Sequence, residues 1–294
     1  MAKLMTWLAF AALSLNLAFA DAPTHTSDPP EWSTPITPFR IAGDLYYVGG
    51  KDLASYLLTT PQGNILINSG TESSVPLIKS AIAQLGFKYS NIKILLISHA
   101  HKDHAGGSAQ IIKETGARYV VMDGDVDEVE SGGRSDFIYS EMTYPPVTVG
   151  RVIHDGESVR LGDAVLVAHK TAGHTPGCTT WTLQVQEGVR TLNVVIVGGW
   201  YVNPGYRLVR TATQAESYPG ITKDYEHMFE VLKALPCDVF LGAHGQYFDM
   251  LEKLDRQKSA PGAAVWIDPA GYQAALAARE KEFRDELKKQ QGKG

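Results

Sequence analysis

The sequence predicts an α/β protein in which two β-sheets pack face to face with helices on the outside, an αββα sandwich. Strand and helix signals alternate through both halves of the chain, and no linker separates the halves. The segments "LYYVGG" and "ASYLLTT", and later "VRLG" and "VLVAH", are typical of antiparallel hairpins. These hairpins favour the sandwich over the alternative topology, a doubly wound parallel sheet.

The first twenty residues have the three-part pattern of a secretory signal peptide. Lys3 gives a positive start, residues 5–17 form an apolar stretch, and Ala18-Phe19-Ala20 is an A-x-A cleavage signal. The stretch is too short for a membrane anchor, and no cysteine follows it for lipid attachment. We therefore expect cleavage near Ala20 and a periplasmic protein; a buried N-terminal helix is the alternative. We also expect the protein to be a monomer.

Residues 21–294 are predicted to form one domain, of which residues 21–35 ("DAPTHTSDPPEWSTP") are an irregular N-terminal arm. The net charge of −5 comes without a stripe of lysine and arginine, so nothing favours nucleic-acid binding. Two cysteines exclude a disulfide-dense scaffold. We expect Cys178 and Cys237 to be unpaired, buried thiols.

The elements of the first half follow in order. "GNILINSG" is a buried strand that ends in a glycine turn, "SVPLIKSAIAQLGF" is a helix that stops at Gly86, and "IKILLIS" is the next strand. "GGSAQIIKETG" is a helix closed by Gly116, and "ARYVVMD" is a strand. Residues 123–150 are rich in glycine, serine, aspartate and aromatics. They predict a long surface excursion, which in a compact domain is usually functional.

The second half repeats this style. "ESVRLGDAVLVAHKTAGHTPGCTTWTLQV" gives strands around a loop, and "TLNVVIVGG" is a buried strand. "ITKDYEHMFEVLKALP" is a helix, "CDVFLGAHG" is a strand that runs into a loop, and residues 269–290 are a charged C-terminal helix.

A cluster of metal-ligand side chains follows the strand "IKILLIS". In "SHAHKDHAGG", residues 98–107, the pattern H-x-H-x-D-H places His99, His101, Asp103 and His104 on one turn. His99 and His101 can reach one metal ion, while Asp103 and His104 can reach a second ion on the other side. Two ions about 3.5–4 Å apart would then share a water, as in two-metal hydrolases.

Neither site is complete without ligands from other segments, and the sequence offers two. His174 lies in "AGHTPG" and His244 in "LGAHG", both at strand-to-loop positions whose adjacent glycines allow close approach to an ion. Neither cysteine has a metal-type spacing, so three-ligand sites with open positions are expected, which favours catalysis over a structural zinc site. The other histidines lack this context and are interpreted as structural or surface residues: His25, His154, His169 and His227.

These motifs resemble the metallo-β-lactamase superfamily from "YYVG" at residues 46–49 to the C-terminal helix. Within it, "SHAHKDHAGG", "AGHTPGCTTWTL", "VNPGYRL" and "LPCDVFLGAH" are similar to subclass B3. The resemblance implies two mixed β-sheets and two Zn²⁺ ions. One ion would be held by His99, His101 and His174, and the other by Asp103, His104 and His244.

The strand after His174 distinguishes the possible relatives. Glyoxalase II, lactonase and RNase Z enzymes carry a bridging aspartate there and other β-lactamase subclasses a cysteine, whereas this chain has Gly198 and Gly199. Many subclass B3 enzymes have a serine where Gly199 stands, and many relatives have an aspartate where Asn68 stands. Because an amide lacks the charge, Asn68→Asp is expected to tighten zinc binding. Tyr272 stands near the place of a cysteine that pairs, in some relatives, with the equivalent of Cys237.

The resemblance also implies a reaction, in which a hydroxide held between the zinc ions opens the β-lactam ring of antibiotics by attacking its carbonyl carbon. Asp103 would orient the hydroxide and pass on its proton, and Tyr206 would donate to the developing oxyanion. We expect a β-lactam as the small-molecule partner, with pocket walls from Trp32, residues 137–144, Trp200, Tyr201 and Asn203. The alternatives are a lactonase or thioesterase on the same fold, and a non-catalytic periplasmic metal-binding protein.

Overall fold

The computed structural model of the protein describes residues 28–260 and 262–292. The predicted signal peptide and residues 21–27 of the predicted arm, which include His25, lie outside the described residues. The first sheet consists of β1 Phe39–Ala42, β2 Leu45–Tyr47, β3 Tyr56–Thr60, β4 Gly63–Ile67, β5 Ile92–Leu96, β6 Arg118–Met122 and β7 Arg151–Ile153. The second sheet consists of β8 Ser158–Leu161, β9 Ala164–Lys170, β10 Thr179–Glu187, β11 Arg190–Val197 and β12 Val239–Gly242.

The helices connect and cover these strands. In chain order they are α1 Pro30–Ser33, α2 Ser74–Gln84, α3 Lys102–Ala105, α4 Ser108–Thr115, α5 Val126–Ser131, α6 Ile221–Ala234, α7 Met250–Gln257 and α8 Pro269–Gln290. Short 3-10 turns span Tyr89–Asn91, Asp123–Asp125, Gly245–Phe248 and Ala263–Trp266. None of the helices in the described ranges is long and apolar enough to span a bilayer.

Both sheets are mixed. In the first, β1 to β7 lie in sequence order; β1 to β4 pair antiparallel and β4 to β7 pair parallel. In the second, the order is β12-β11-β10-β9-β8, and only the pair β11 and β12 is parallel. The two predicted hairpins are confirmed as the antiparallel pairs β2/β3 and β8/β9. The parallel strands matter for function, because their carboxyl ends meet at one edge of each sheet.

Strand β5 shows why the sheets form a sandwich. Successive side chains of a strand point to opposite faces. Ile94 and Leu96 join a core cluster with Trp181 and Ile196 of the second sheet, whereas Leu95 joins a separate cluster with Ile78 of α2. The continuous apolar run of "IKILLIS" therefore buries one face against the other sheet and one against the helices, and the predicted αββα sandwich is confirmed.

The predicted helix ends are confirmed where glycine determines them. Helix α4 ends at Thr115, and Gly116 follows with φ +71°, a left-handed conformation that costs little without a side chain. Helix α8 begins at Pro269, with the Asp268 side chain accepting a hydrogen bond from the Gly271 N–H at 2.8 Å. The excursion of residues 123–150 is more ordered than expected. Its first part forms a 3-10 turn and α5, and buries Asp125 and Glu128.

Both cysteines lie within the described residues and neither is in a disulfide. Cys178 is buried as predicted, whereas Cys237 is only partly buried, so that part of the prediction was wrong. Tyr272 donates from its hydroxyl to the carbonyl of Leu232 at 2.7 Å, which makes it a core residue of α8.

Candidate metal centre

The predicted ligand loop starts at the carboxyl end of β5. His99 precedes α3, His101 is its N-terminal capping residue, and Asp103 and His104 lie in its only turn. Because successive residues of a helix are rotated by about 100°, Asp103 and His104 leave this turn in different directions. The motif therefore spreads its four side chains over the region beyond the carboxyl end of β5.

The fold brings all six predicted ligands together. The donor atoms of His99, His101 and His174 lie within 4.8 Å of one another, as do those of His99, Asp103 and His104. His244, which follows β12, joins the second group, since its Nε2 lies 3.3 Å from Asp103 Oδ2. The same carboxylate oxygen lies 3.2 Å from His104 Nε2. The two predicted groups of ligands, three histidines and one aspartate with two histidines, therefore lie next to each other.

The chemistry of these side chains fits a divalent cation. His99 is 1% exposed, and neither of its ring nitrogens has a hydrogen-bond partner within the described residues. Burial holds the pKa of His99 well below its usual value, and lowers that of His174 to about 3. Neutral imidazole is the form that coordinates metal, and nitrogen and carboxylate donors are those that zinc prefers.

Hydrogen bonds fix the orientation of two of these rings. His174 Nδ1 lies 2.9 Å from the carbonyl oxygen of Tyr201, and His244 Nδ1 lies 2.9 Å from Asp52 Oδ2. Each contact places the proton on Nδ1 and leaves the Nε2 lone pair for a metal. Burial lowers the pKa of His244, but the bonds to Asp103 and Asp52 outweigh it and raise the pKa to about 9.

His101, like His244, faces the carboxylate of an aspartate. Asp136 Oδ2 lies 3.3 Å from His101 Nε2, and both side chains are buried. A proton on Nε2 would leave His101 Nδ1 as the nitrogen that can bind a metal. The residue lies in "GGRSDF", within the excursion that was predicted to be functional, but a lone aspartate gives no spacing signal in the sequence.

Asp125 joins the two loops that carry the predicted ligands, although it was not predicted as a functional residue. Its Oδ2 accepts from the Ala100 N–H at 2.9 Å and from the Thr175 hydroxyl at 2.9 Å, and its Oδ1 accepts from the Gly177 N–H at 2.6 Å. Burial raises its pKa above the usual range in spite of these bonds. One signal could have revealed it, because it follows the parallel strand β6 at the edge where the histidine loop follows β5.

Asn68 holds the start of the histidine loop with both ends of its amide. Its Oδ1 accepts from the Ser98 N–H at 2.7 Å, and its Nδ2 donates to the Ala54 carbonyl at 3.2 Å. The residue is fully buried and has φ +65°. An aspartate could not donate to Ala54, so Asn68→Asp would lose one of the two contacts that hold this loop, and tighter zinc binding in that variant stays a prediction.

Gly199 stands directly against a predicted ligand. A Cβ at this position would lie 2.2 Å from Cδ2 of His174, so any side chain would force the imidazole to move. Cys178 holds the glycine in place: the Gly199 N–H donates to its Sγ at 2.9 Å, and the thiol donates to the Gly199 carbonyl at 3.3 Å. Glycine rather than serine therefore stands at this position because the His174 ring occupies the space that a side chain would need.

Tyr206 lies behind His174 rather than on the cavity surface. Its hydroxyl donates to the His174 carbonyl at 2.7 Å, and the residue is 3% exposed. Phe137 packs edge-on against its ring at 5.0 Å. In this position Tyr206 supports the loop that carries His174. Its predicted role as a donor to the oxyanion stays a prediction, and it would require the hydroxyl to break its bond to the His174 carbonyl.

A cavity of about 330 Å³ opens beside the predicted ligands, and four of them line it: His101, Asp103, His174 and His244. As predicted, its walls include Trp32 from the arm, Tyr201 and Asn203 after β11, and Tyr139 and Tyr144 from the excursion. Trp200 does not line it and instead packs in the core against Phe240 and Tyr247. The remaining histidines of the described ranges stand apart, since His169 contacts Thr182 and both His154 and His227 are exposed.

Comparison with known proteins agrees with this geometry. The family model described as the metallo-beta-lactamase superfamily matches residues 48–244. The chain belongs to the metallo-β-lactamase superfamily. Native FEZ-1 metallo-beta-lactamase from Legionella gormanii is 50% identical, covers 88% of this chain and 98% of its own, and superposes with a TM-score of 0.84.

Two other relatives of this metallo-β-lactamase superfamily member are described as subclass B3. BJP-1 of Bradyrhizobium japonicum is 35% identical, with 90% of this chain and 98% of its own covered and a TM-score of 0.82. The class B3 di-zinc metallo-beta-lactamase LRA-12 from an Alaskan soil metagenome is 35% identical, with 89% and 98% covered and a TM-score of 0.82. The resemblance to subclass B3 is thus confirmed, together with the fold.

Proposed function

We propose that this protein is a zinc-dependent hydrolase that opens the β-lactam ring of antibiotics. The observation that carries the proposal is the convergence of six side chains next to an open cavity that four of them line: His99, His101 and His174 beside Asp103, His104 and His244. The relatives named as β-lactamases support the same conclusion. Two zinc ions fit the two ligand sets, the first with three nitrogens and the second with one carboxylate and two nitrogens.

Zinc at these positions supplies Lewis acidity and a water whose pKa is lowered to about 7. Asp103 belongs to the second ligand set, and its donor oxygen lies within 4.8 Å of a ring nitrogen of His99 in the first set. Burial raises the pKa of Asp103, but the contacts with His104 and His244 have the larger effect and hold it well below its usual value. The carboxylate therefore stays charged at neutral pH. Its second oxygen can therefore accept a hydrogen bond from the attacking water and carry a proton towards the leaving nitrogen.

The cavity walls position the substrate and exclude water. Trp32, Tyr139 and Tyr201 form apolar surfaces against which a bicyclic ring system can pack. Asn203 lines the same cavity with an amide that can donate to a substrate carbonyl or carboxylate. The Asp52, Asp125 and Asp136 contacts described above hold the ligand residues in place while the substrate exchanges.

The finer features of the protein complete the proposal. Residues 21–294 act as a single-domain monomer in the periplasm, after removal of the signal peptide at residues 1–20. Hydrolysis there protects the cell against β-lactam antibiotics, because their targets lie in the same compartment.

Zinc removal tests the proposal directly. Chelation should abolish hydrolysis of a carbapenem, and added zinc should restore it. His174→Ala should remove most of the activity and lower the zinc content, whereas His169→Ala, which changes a histidine outside the site, should leave both near wild type. Turnover that survives chelation would contradict the proposal. Turnover of only lactones or thioesters would point to another hydrolase of this fold, and zinc binding without any turnover to a metal-binding protein.

A further inference from the structure

One side chain with a permanent positive charge lines the cavity among the described residues. Among the described residues that line the cavity, Lys102 is the only lysine or arginine, while Asp103, Glu128 and Asp136 are acidic. Arg279 lies nearby, but it stacks on the Tyr201 ring at 4.7 Å, pairs with Glu282 at 2.5 Å and does not line the cavity. Within the described residues, the Lys102 ammonium is therefore the permanently charged side chain that an anionic group in this cavity can contact.

Lys102 is held at the right place by its position in the chain. It occupies the variable position of H-x-H-x-D-H between His101 and Asp103, at the first residue of α3. Its backbone is therefore fixed by the two neighbouring predicted ligands. The four-carbon stem leaves the ammonium free to follow a bound anion.

A carboxylate already contacts this ammonium. Both oxygens of Asp28 lie 3.2–3.3 Å from Lys102 Nζ. Asp28 comes from the predicted arm, two residues before α1, whose Trp32 lines the same cavity. The pair is accessible to solvent, with the two side chains 27% and 36% exposed. The attraction in an exposed ion pair of this kind favours the paired over the separated state by no more than about five-fold. Another carboxylate can therefore displace Asp28 from Lys102.

We propose that Lys102 binds the carboxylate of the substrate and that Asp28 occupies the same ammonium in the free enzyme. The inference rests on the proposed function and specifies which side chain recognises the acidic group of the substrate. Asp28 is then an intramolecular competitor, and the arm weakens substrate binding while it is docked.

The test compares an acidic cephalosporin with its neutral ester on zinc-loaded enzyme. Lys102→Met should raise KM for the acid by about ten-fold with little change in kcat, as for loss of one charged hydrogen bond. It should leave KM for the ester unchanged, and Lys102→Arg should restore KM for the acid. The ratio of kcat/KM for acid over ester does not depend on how much enzyme is active, so it remains valid if the variant loses some zinc. Lys79→Met, which breaks a surface pair with Glu114 at 3.1 Å, is the matched control.

Removal of the competitor should have the opposite effect. Asp28→Asn should lower KM for the acid by about two- to five-fold, and it should have no effect in the Lys102→Met background because the two changes act on one contact. Raising the salt concentration should shrink both effects. An equal rise of KM for acid and ester in Lys102→Met, or an unchanged acid-to-ester ratio, would overturn the role of Lys102. An unchanged KM in Asp28→Asn would overturn the competition.

A binding measurement separates this inference from the proposed function. Calorimetric titration with the ring-opened acid, or with the intact acid if wild-type enzyme hydrolyses no β-lactam, reports the Lys102 contact without turnover. Loss of hydrolysis by the wild type would count against the function alone. Equal affinity of wild type and Lys102→Met for the acid would count against the inference alone.

Discussion

Asp125→Asn should weaken both the fold and the metal centre. In the native protein, one carboxylate accepts three hydrogen bonds, from Ala100, Thr175 and Gly177. An amide keeps one acceptor oxygen and places an NH₂ group where the other oxygen was. If the NH₂ replaces Oδ1, it faces the Gly177 N–H and leaves that buried donor without a partner, at a cost of about 1–3 kcal/mol. The two remaining bonds also lose their charge assistance, which brings the expected loss to about 2–4 kcal/mol.

The assay is urea unfolding of the metal-free protein, because zinc binding would otherwise add to the measured free energy of unfolding. Zinc affinity is measured separately by competition with a chelator, and should fall by about 10- to 100-fold, as for loss of an outer-shell partner. Asp123→Asn is the control. That carboxylate lies two residues away, is 38% exposed and pairs with Lys170, so its loss should cost less than about 1 kcal/mol. An Asp125→Asn protein as stable as the control, with wild-type zinc affinity, would refute the conclusion that Asp125 holds the two ligand loops together.

Three further predictions concern the other supports of the metal centre. Asp52→Asn should weaken the second zinc by about 10- to 100-fold and leave the first unchanged, because only His244, among the six predicted ligands, loses a charged acceptor; a metal titration that shows both sites weakened alike would contradict this. Asn68→Asp should lower the free energy of unfolding by about 1–3 kcal/mol, since a carboxylate leaves the Ala54 carbonyl without a donor; urea unfolding measures it, and a more stable variant would count against the assigned contacts. Zinc binding at pH 7 should release a proton, because His244, with a pKa raised to about 9, is protonated without metal and must be neutral to coordinate. Calorimetry in buffers of different ionisation enthalpy detects that proton, and binding heats that do not depend on the buffer would exclude it.

Much of the fold could be predicted because local signals and long-range packing agree. In β5, the run "IKILLIS" is apolar on both faces, and both faces are buried. Helix α8 begins at Pro269 and ends at Gln290, the predicted bounds, because proline and the Asp268 cap mark its start. Residues 123–150 were harder to predict. Their polar composition resembles a surface loop, and only tertiary contacts show that Asp125 and Glu128 are buried.

The ligands could be predicted more fully than the residues that hold them. Four ligands share one motif, and His174 and His244 stand beside glycines at strand ends. Asp52, by contrast, is 192 residues away from the histidine that it orients, and nothing in "GKDL" indicates that contact. The position of Tyr206 was also beyond the sequence, since a tyrosine in a loop can point into a cavity or, as here, bond to the backbone behind it.

The thiol beside the metal centre has a consequence for inhibition. Cys178 contacts Gly199, which packs on His174, but its side chain is inaccessible to solvent, and burial raises its pKa to about 12. At neutral pH this sulfur stays protonated and out of reach of electrophiles. Covalent drugs that alkylate or oxidise a cysteine at the reaction centre would therefore spare this enzyme, so compounds that sequester its cations or fill its cavity are the better starting point.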